Sequence, residues 1–497
     1  MLALQHKVPS RLIDVGLPDG TVQPRLCLRS DLDRSSRYIA LSHCWGRDPS
    51  RNVPQLTQVN LKLRQREILL DSLSKTFRDA IQITRALSVR YIWIDSLCII
   101  QDSQEDFEKE CAGMHFVYSQ AFCTIAALGA EDGSEGCFMP RNLLRLNPYT
   151  FKLSSLEGHW LSIQSHFERM PHDRLPYLLR GPLNTRGWAL QERQFSRRII
   201  YYTKDQIIWE CAESFAFEEN PSMYRKFLCS DENWRLFDLH VKGRTDLHDR
   251  WYNIIQDYSG RHLSHSADRF LALSGLAAAF NSARPTDSYL AGLWEDDILR
   301  GLWWSPSPVR SPPQDAWPPP AKYPHTPSWS WAAFDGPVRF GRTVRLNLKE
   351  TCFVHGEVNV PGFNSYGTVY GGSITLCGLR VEIPVSEQYV CRQDHEDLPK
   401  LYKVPPNLNK LYDESLTIRF DHSPKDLPLT YVVCLQIGQL DKGIVKSGVG
   451  RGLICGLVLL RCNGYNVGKC QRTGTFSAPS SASVWVENSI MEQVIII

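Results

Sequence analysis

The sequence predicts an α/β fold with a mostly parallel sheet over residues 1–215, then a helical segment and a β-rich C-terminal region. Three observations predict it. The stretch YIWIDSLCII (Tyr91–Ile100) is apolar almost throughout and does not alternate with polar residues, the habit of a strand buried on both faces. An amphipathic helix pattern directly precedes it, and a short apolar strand precedes that, which makes a strand–helix–strand unit. The last third of the chain instead reads as apolar strands separated by Gly- and Pro-rich turns.

Taken in order, RYIALSHCWG (Arg37–Gly46) is an apolar strand breaking into a polar, Gly-terminated turn. In SLSKTFRDAIQITRALSVR (Ser72–Arg90), Phe77, Ala80, Ile81, Thr84 and Leu87 recur at helical spacing, with serines in front as cap candidates. A second helix is expected over Gln104–Gln120, with Ser103 and Asp106 forming a capping-box-like start. CTIAAL (Cys123–Leu128) is another buried strand. RGWALQERQFSRRIIYYTKDQIIWEC (Arg186–Cys211) starts as a helix and leads into strands near Arg198–Tyr202 and Gln206–Glu210. Residues 216–304 read as mainly helical, 305–327 as a Pro-rich linker or loop, and 328–497 as β-rich.

Bulk properties exclude several classes. A chain of 497 residues is too long for one core. A net charge of +3 gives no support to a nucleic-acid partner. The 15 cysteines contain no C-x-x-C, so neither a zinc ribbon nor a thioredoxin motif is expected, and the thiols read as reduced and mostly buried. No signal-peptide pattern and no membrane span is found, so a soluble cytoplasmic protein is expected. His262 and His265 are three apart but lack a matching ligand set, so no metal is expected. GVGRG (Gly448–Gly452) lacks the Lys-Ser/Thr ending of a phosphate loop and reads as a turn.

Four places hold candidate chemistry. A helix advances about 100° per residue, which sets Glu110 about 60° from the centre of the stripe Phe107, Cys111, Met114, Tyr118 and Ala121. It is a carboxylate on the shoulder of the buried face, read either as a boundary residue or as a functional one. Ser42, His43, Cys44 and Trp45 bring a hydroxyl, an imidazole, a thiol and a stacking ring to the end of the first strand, or else form a packed structural loop. Asp95 either orients a backbone turn or contributes to a site beyond the strand end. Trp188, Gln191, Glu192 and Arg193 either hold a polar ligand or, the favoured reading, brace the sheet through an ion pair.

Three blocks, YIALSHCWG, YIWIDSLCIIQDSQEDFEKECAGMHFVYSQAFCTIAAL and RGWALQERQFSRRIIYY, resemble in order and spacing the signature blocks of the fungal heterokaryon-incompatibility (HET) domain, over roughly residues 37–211. RLIDV, TFRDAIQITRAL and the later SWSWA are also similar to that family. The resemblance implies a TIR/flavodoxin-like N-terminal domain and an effector of non-self recognition and programmed cell death. HET domains have been compared with TIR domains, some of which cleave NAD at the nicotinamide bond. The TIR glutamate lies in a Trp-x-x-Glu pattern; in FEKE here, Phe107 replaces the Trp and Glu110 falls on the glutamate. The resemblance thus implies Glu110 as catalytic, with Ser42, Trp45 and Asp95 at the substrate and NAD as substrate, with no cofactor. It further implies self-association through the HET domain and a protein partner from an incompatibility locus. Two other readings stay open: a non-catalytic interaction module, and a small-molecule metabolic enzyme on the same fold.

Overall fold

A computed structural model of the chain describes residues 8–33, 35–46, 53–141, 149–152, 160–163, 181–211, 214–218, 224–225, 247–307, 325–341, 346–347, 351–362, 364–384, 417–421, 431–440, 453–462, 468–479 and 489–497. Two compact units divide it, Met1–Lys242 and Gly243–Ile497. GVGRG and most of the Pro-rich stretch lie outside the described residues.

The first unit is built on β1 (Arg11–Asp14), β2 (Arg25–Leu28), β3 (Tyr38–Ser42), β4 (Tyr91–Trp93), β5 (Cys123–Ala126), a separate hairpin of β6 (Tyr149–Lys152) and β7 (Trp160–Ile163), then β8 (Arg198–Tyr202), β9 (Ile207–Cys211), β10 (Ser214–Phe217) and β11 (Tyr224–Arg225). Its helices are α1 (Leu61–Arg66), α2 (Lys75–Ala86), α3 (Asp95–Cys98), α4 (Gln104–Gln120) and α5 (Gly187–Phe195). The main sheet runs β11-β10-β9-β8-β5-β3-β4-β1-β2. Its centre, β8-β5-β3-β4, is parallel. Antiparallel strands extend it on both sides, with β1 against β4 and β9 against β8. These flanks add to the strand–helix–strand pattern read from the sequence.

The parallel centre forms for the reason the sequence suggests. Strands β3 and β5 are buried along their whole length, which leaves no solvated face to alternate with. Ser74 caps α2 by accepting from the Phe77 amide, and Ser103 caps α4 by accepting from the Asp106 amide. After β4 the backbone turns at once into α3, so Asp95 is the first residue of a short helix and not the interior of a strand.

The second unit holds α6 (Leu247–Ser259), α7 (Leu271–Ala283) and α8 (Ile298–Gly301), with short ladders of β12 (Tyr289–Leu290) and β13 (Leu293–Trp294), and of β14 (Trp304–Pro306) and β15 (Val338–Phe340). Trp251, Phe280 and Trp294 pack together here, and the SWSWA stretch buries Trp329 and Trp331 completely. A β-rich sheet follows: β16 (Leu346–Asn347), β17 (Cys352–Val358), β18 (Gly372–Pro384), β19 (Thr417–Phe420), β20 (Tyr431–Leu440), β21 (Leu453–Arg461), β22 (Lys469–Pro479) and β23 (Ile490–Ile496). Strand β18 pairs with both β23 and β20, so β20-β21-β22-β23-β18 close into a ring. Val381, Ile383, Val432, Cys434, Val458 and Phe476 fill part of its core. Closure removes most free edges and leaves β17 as an outer strand paired with β18.

Candidate functional site

The chain leaves β3, forms β4 on one side, and returns past β3 to form β5 on the other. Such a reversal opens a crevice beyond the carboxyl ends of the strands, where open α/β sheets bind ligands. Ser42 and Ala126 are register partners at that end of β3 and β5. His43 to Gly46 lead away from it, and Gly46 has a φ of +86°, a conformation that suits glycine and sharpens the turn after Trp45.

A buried polar cluster fills this edge. The Ser42 hydroxyl donates a short hydrogen bond to Glu192 Oε2, reaching from β3 to α5. The Tyr118 hydroxyl from α4 lies against both the Leu41 carbonyl oxygen, at 3.1 Å, and the Glu192 carboxyl. Arg186, just before α5, donates to the His43 carbonyl oxygen, and its charge acts on Glu192. Burial nevertheless dominates and pushes the Glu192 pKa up to about 7. A carboxyl in that range takes and returns a proton near neutral pH.

On the rim, the Trp45 indole Nε1 donates to Asp95 Oδ2 at 2.8 Å, and Asp95 Oδ1 accepts from the Ser96 amide at 2.7 Å. Asp95 thus fixes the turn at the tip of β4. His43 Nδ1 is 3.6 Å from Asp95 Oδ1, too far for a hydrogen bond. The imidazole is buried against the Phe77 edge, and its Nε2 has no hydrogen-bond partner among the described residues. Desolvation lowers the His43 pKa to about 4, so the ring is neutral at ordinary pH. Burial pushes the neighbouring Cys44 thiol up to about 11, which gives no support to a Cys–His nucleophile.

Glu110 lies on the same sheet edge but has a different partner. It is 7% exposed, as its place on the helix shoulder predicts, and its Oε1 is 3.6 Å from Arg11 Nη2. The Arg11 guanidinium also donates to both carboxylate oxygens of Asp106 and to the Cys98 carbonyl oxygen. Glu110 therefore joins an Arg11–Asp106 network, whereas Ser42 joins Glu192, and Trp45 joins Asp95. Within WALQER the roles divide. Arg193 Nε is 3.6 Å from buried Glu210 Oε2, with the Tyr201 hydroxyl between them, a bracing arrangement. Gln191 is buried, Trp188 is half-buried, and Glu192 belongs to the polar cluster. Sequence reasoning missed the link of Ser42 to Glu192, which spans 150 positions; the signal available was that both sit in blocks dense in polar residues beside apolar strands. Among the described residues no group of three or more His, Cys, Asp or Glu side chains is placed to hold a metal ion.

A parallel-centred α/β domain with a polar cluster at its carboxyl edge is the class defined by this geometry. Residues 38–192 match the family described as heterokaryon incompatibility protein (HET). The matched HET stretch contains Ser42, Asp95, Glu110 and Glu192, and it supports a function related to heterokaryon incompatibility. No curated protein and no solved structure matches the chain. No helix among the described residues is long and apolar enough to cross a membrane.

Proposed function

We propose that this HET domain is a cell-death effector of non-self recognition that hydrolyses the bond between nicotinamide and ribose in NAD. The observation that carries the reading is the buried Ser42–Glu192 pair at the point where the strand order reverses. The four parallel strands also run in the order second-first-third-fourth along the chain, as in flavodoxin-like folds, which supports the TIR/flavodoxin-like comparison. Loss of neutral nicotinamide leaves oxocarbenium character on the ribose, and a carboxylate with little water around it stabilises that charge. Glu192 is the carboxylate we assign to this role, with Ser42 holding it in place. Trp45, oriented through Asp95, offers a flat ring for a base to stack on. Glu110 matches the TIR pattern by position, but its charge is already engaged by Arg11.

The test is nicotinamide release from NAD by the full chain, measured over a range of protein concentrations. Glu192→Gln is expected to slow release by about a hundredfold, the scale on which single electrostatic groups act in such sites. Glu110→Gln separates the pattern-based assignment from the geometric one. No release from folded protein at any concentration overturns the reading. A second reading then stands, a HET domain that signals by binding alone. The burial of Ser42, His43, Glu110 and Glu192 favours it.

A further inference from the structure

We propose that Cys352 and Cys377 form a reversible oxidation site, at which a hydroperoxide converts two thiols into one cross-strand disulfide. The two residues are register partners on neighbouring antiparallel strands, β17 and β18. Directly opposed residues of such a pair have Cα atoms about 4.5 or 5.5 Å apart, depending on the hydrogen-bonding pattern. Both spacings fall within the roughly 4.4–6.8 Å that a disulfide spans. Opposed residues also project their side chains from the same face of the sheet. On this part of β18 the buried face is taken by Ile374 and Leu376, which are fully buried, so Cys377 lies on the other face.

Access and chemistry agree with this placement. Cys352 is exposed and Cys377 is half-buried, and both are free thiols. The other cysteines in described strand pairings face different residues: Cys27 faces Leu12, Cys123 faces Ile39, Cys211 faces Arg198, Cys434 faces Val381 and Val458, Cys455 faces Gly438 and Ser477, and Cys470 faces Arg461 and Ile496. Among the described pairings, Cys352 with Cys377 is where a thiol opposes a thiol. The ladder is also irregular between Phe353 and His355, right beside Cys352, which leaves the outer strand room to adjust to the disulfide torsion.

The reaction balances with hydrogen peroxide as oxidant. The Cys352 thiol gives up its proton and its sulfur attacks one peroxide oxygen to become a sulfenic acid; the other oxygen leaves as hydroxide, which takes up that proton and becomes water. The Cys377 sulfur then attacks the sulfenic sulfur and expels a second water. Two thiols are oxidised by two electrons, and the peroxide is reduced by two. The product ties β17 to a ring strand, and a dithiol reductant reverses it.

The experiment treats the full chain with hydrogen peroxide, alkylates remaining thiols under denaturing conditions, and maps peptides by mass spectrometry. No Lys or Arg lies between Glu350 and Arg380, so trypsin releases both thiols on one peptide. That peptide is expected to lose two hydrogens, to resist alkylation, and to recover both thiols with dithiothreitol. Chymotryptic cleavage should then leave two pieces joined through sulfur. In Cys377→Ser, Cys352 is expected to advance to sulfinic acid under the same treatment, because the second thiol is gone. The proposal is overturned if Cys352 in the unaltered chain is recovered as a thiol, as a sulfinic acid, or joined to another cysteine or another copy. It is equally overturned if Cys377→Ser leaves the oxidation state of Cys352 unchanged.

Discussion

Both compact units bury charge, and two of the buried residues, Arg472 and Glu192, are treated in opposite ways. In the C-terminal unit the Arg472 side chain is completely buried, and each nitrogen of its guanidinium has a partner. It donates to Asp421, at 3.0 Å from Nε, and to the carbonyl oxygens of Leu302 and Trp304, and it lies 3.6 Å over the Trp304 ring. In the N-terminal unit the buried Glu192 answers to the Arg186 charge and to the Ser42 and Tyr118 hydroxyls, and burial still raises its pKa to about 7. Nearby, His43 Nε2 has no partner among the described residues. A fully satisfied buried charge is a brace, and a partly satisfied one holds free energy that a ligand or proton can draw on. The contrast is drawn from burial and hydrogen bonding alone, without reference to any motif.

The comparison breaks most sharply at Arg472. Arg472→Ala strands Asp421 and is expected to cost about 3–5 kcal/mol in denaturant unfolding. Replacing both partners by apolar residues, Arg472→Met with Asp421→Leu, should recover most of that loss. A small effect of the single change would mean that the network is not a brace. Glu192→Gln comes next. Its expected cost is about a hundredfold in nicotinamide release, with no loss of stability at pH 7, where the unaltered carboxyl is already partly ionised in its buried site. A loss of stability as large as that of Arg472→Ala would instead make Glu192 a second brace.

Acid titration sharpens the contrast further. His43 falls from its ordinary 6.5 to about 4, so the unfolded chain binds the extra proton and stability drops as pH falls from 6.5 towards 4. Glu192 rises from 4.5 to about 7, so its contribution is fully present below 4.5 and is lost as pH rises towards 7. Between pH 4.5 and 6.5 the two oppose each other and nearly cancel. Glu192→Gln should unmask the His43 slope, about 1.4 kcal/mol per pH unit, and His43→Phe should unmask a slope of opposite sign. Parallel pH profiles in the two variants would show that the groups do not titrate as their burial requires. The smallest effect is expected at Trp45→Phe, which keeps a ring but removes the 2.8 Å bond to Asp95. A severalfold rise in KM for NAD with kcat unchanged corresponds to the loss of about 1 kcal/mol of binding. A fall in kcat would put the indole in the chemistry instead.

Much of the fold was legible because local signals agree with it. Tyr91–Trp93 is a strand, Ser74 and Ser103 cap the helices they precede, and the helical angle of Glu110 matches its burial. What stayed hidden depends on contacts between distant positions. Arg11, which engages Glu110 and Asp106, belongs to a strand read only as a family likeness, and nothing in its neighbourhood announces a partner in α4. The same holds for WALQER, where adjacent residues point to different tasks: Arg193 turns to Glu210 and Glu192 turns to Ser42. Helix periodicity gives the face of a residue, but not which strand end lies opposite it. The closure of β18 onto β20 was equally invisible, since pairing choice among similar apolar strands leaves no mark on any one of them.

The nine-strand order has a practical consequence for anyone who isolates the recognisable part of this protein. The family match begins at residue 38 and ends at residue 192, yet the sheet takes β1 and β2 from before it and β8 to β11 from after it. A fragment trimmed to the match would bare the flank of β4 that β1 covers and the flank of β5 that β8 covers, and would strip Arg11 from Glu110. Two exposed hydrogen-bonding edges on a largely apolar sheet are templates for aggregation. The inherited signature and the folding unit are different objects here, and insolubility of the trimmed piece would report on its boundaries, not on the activity of the domain.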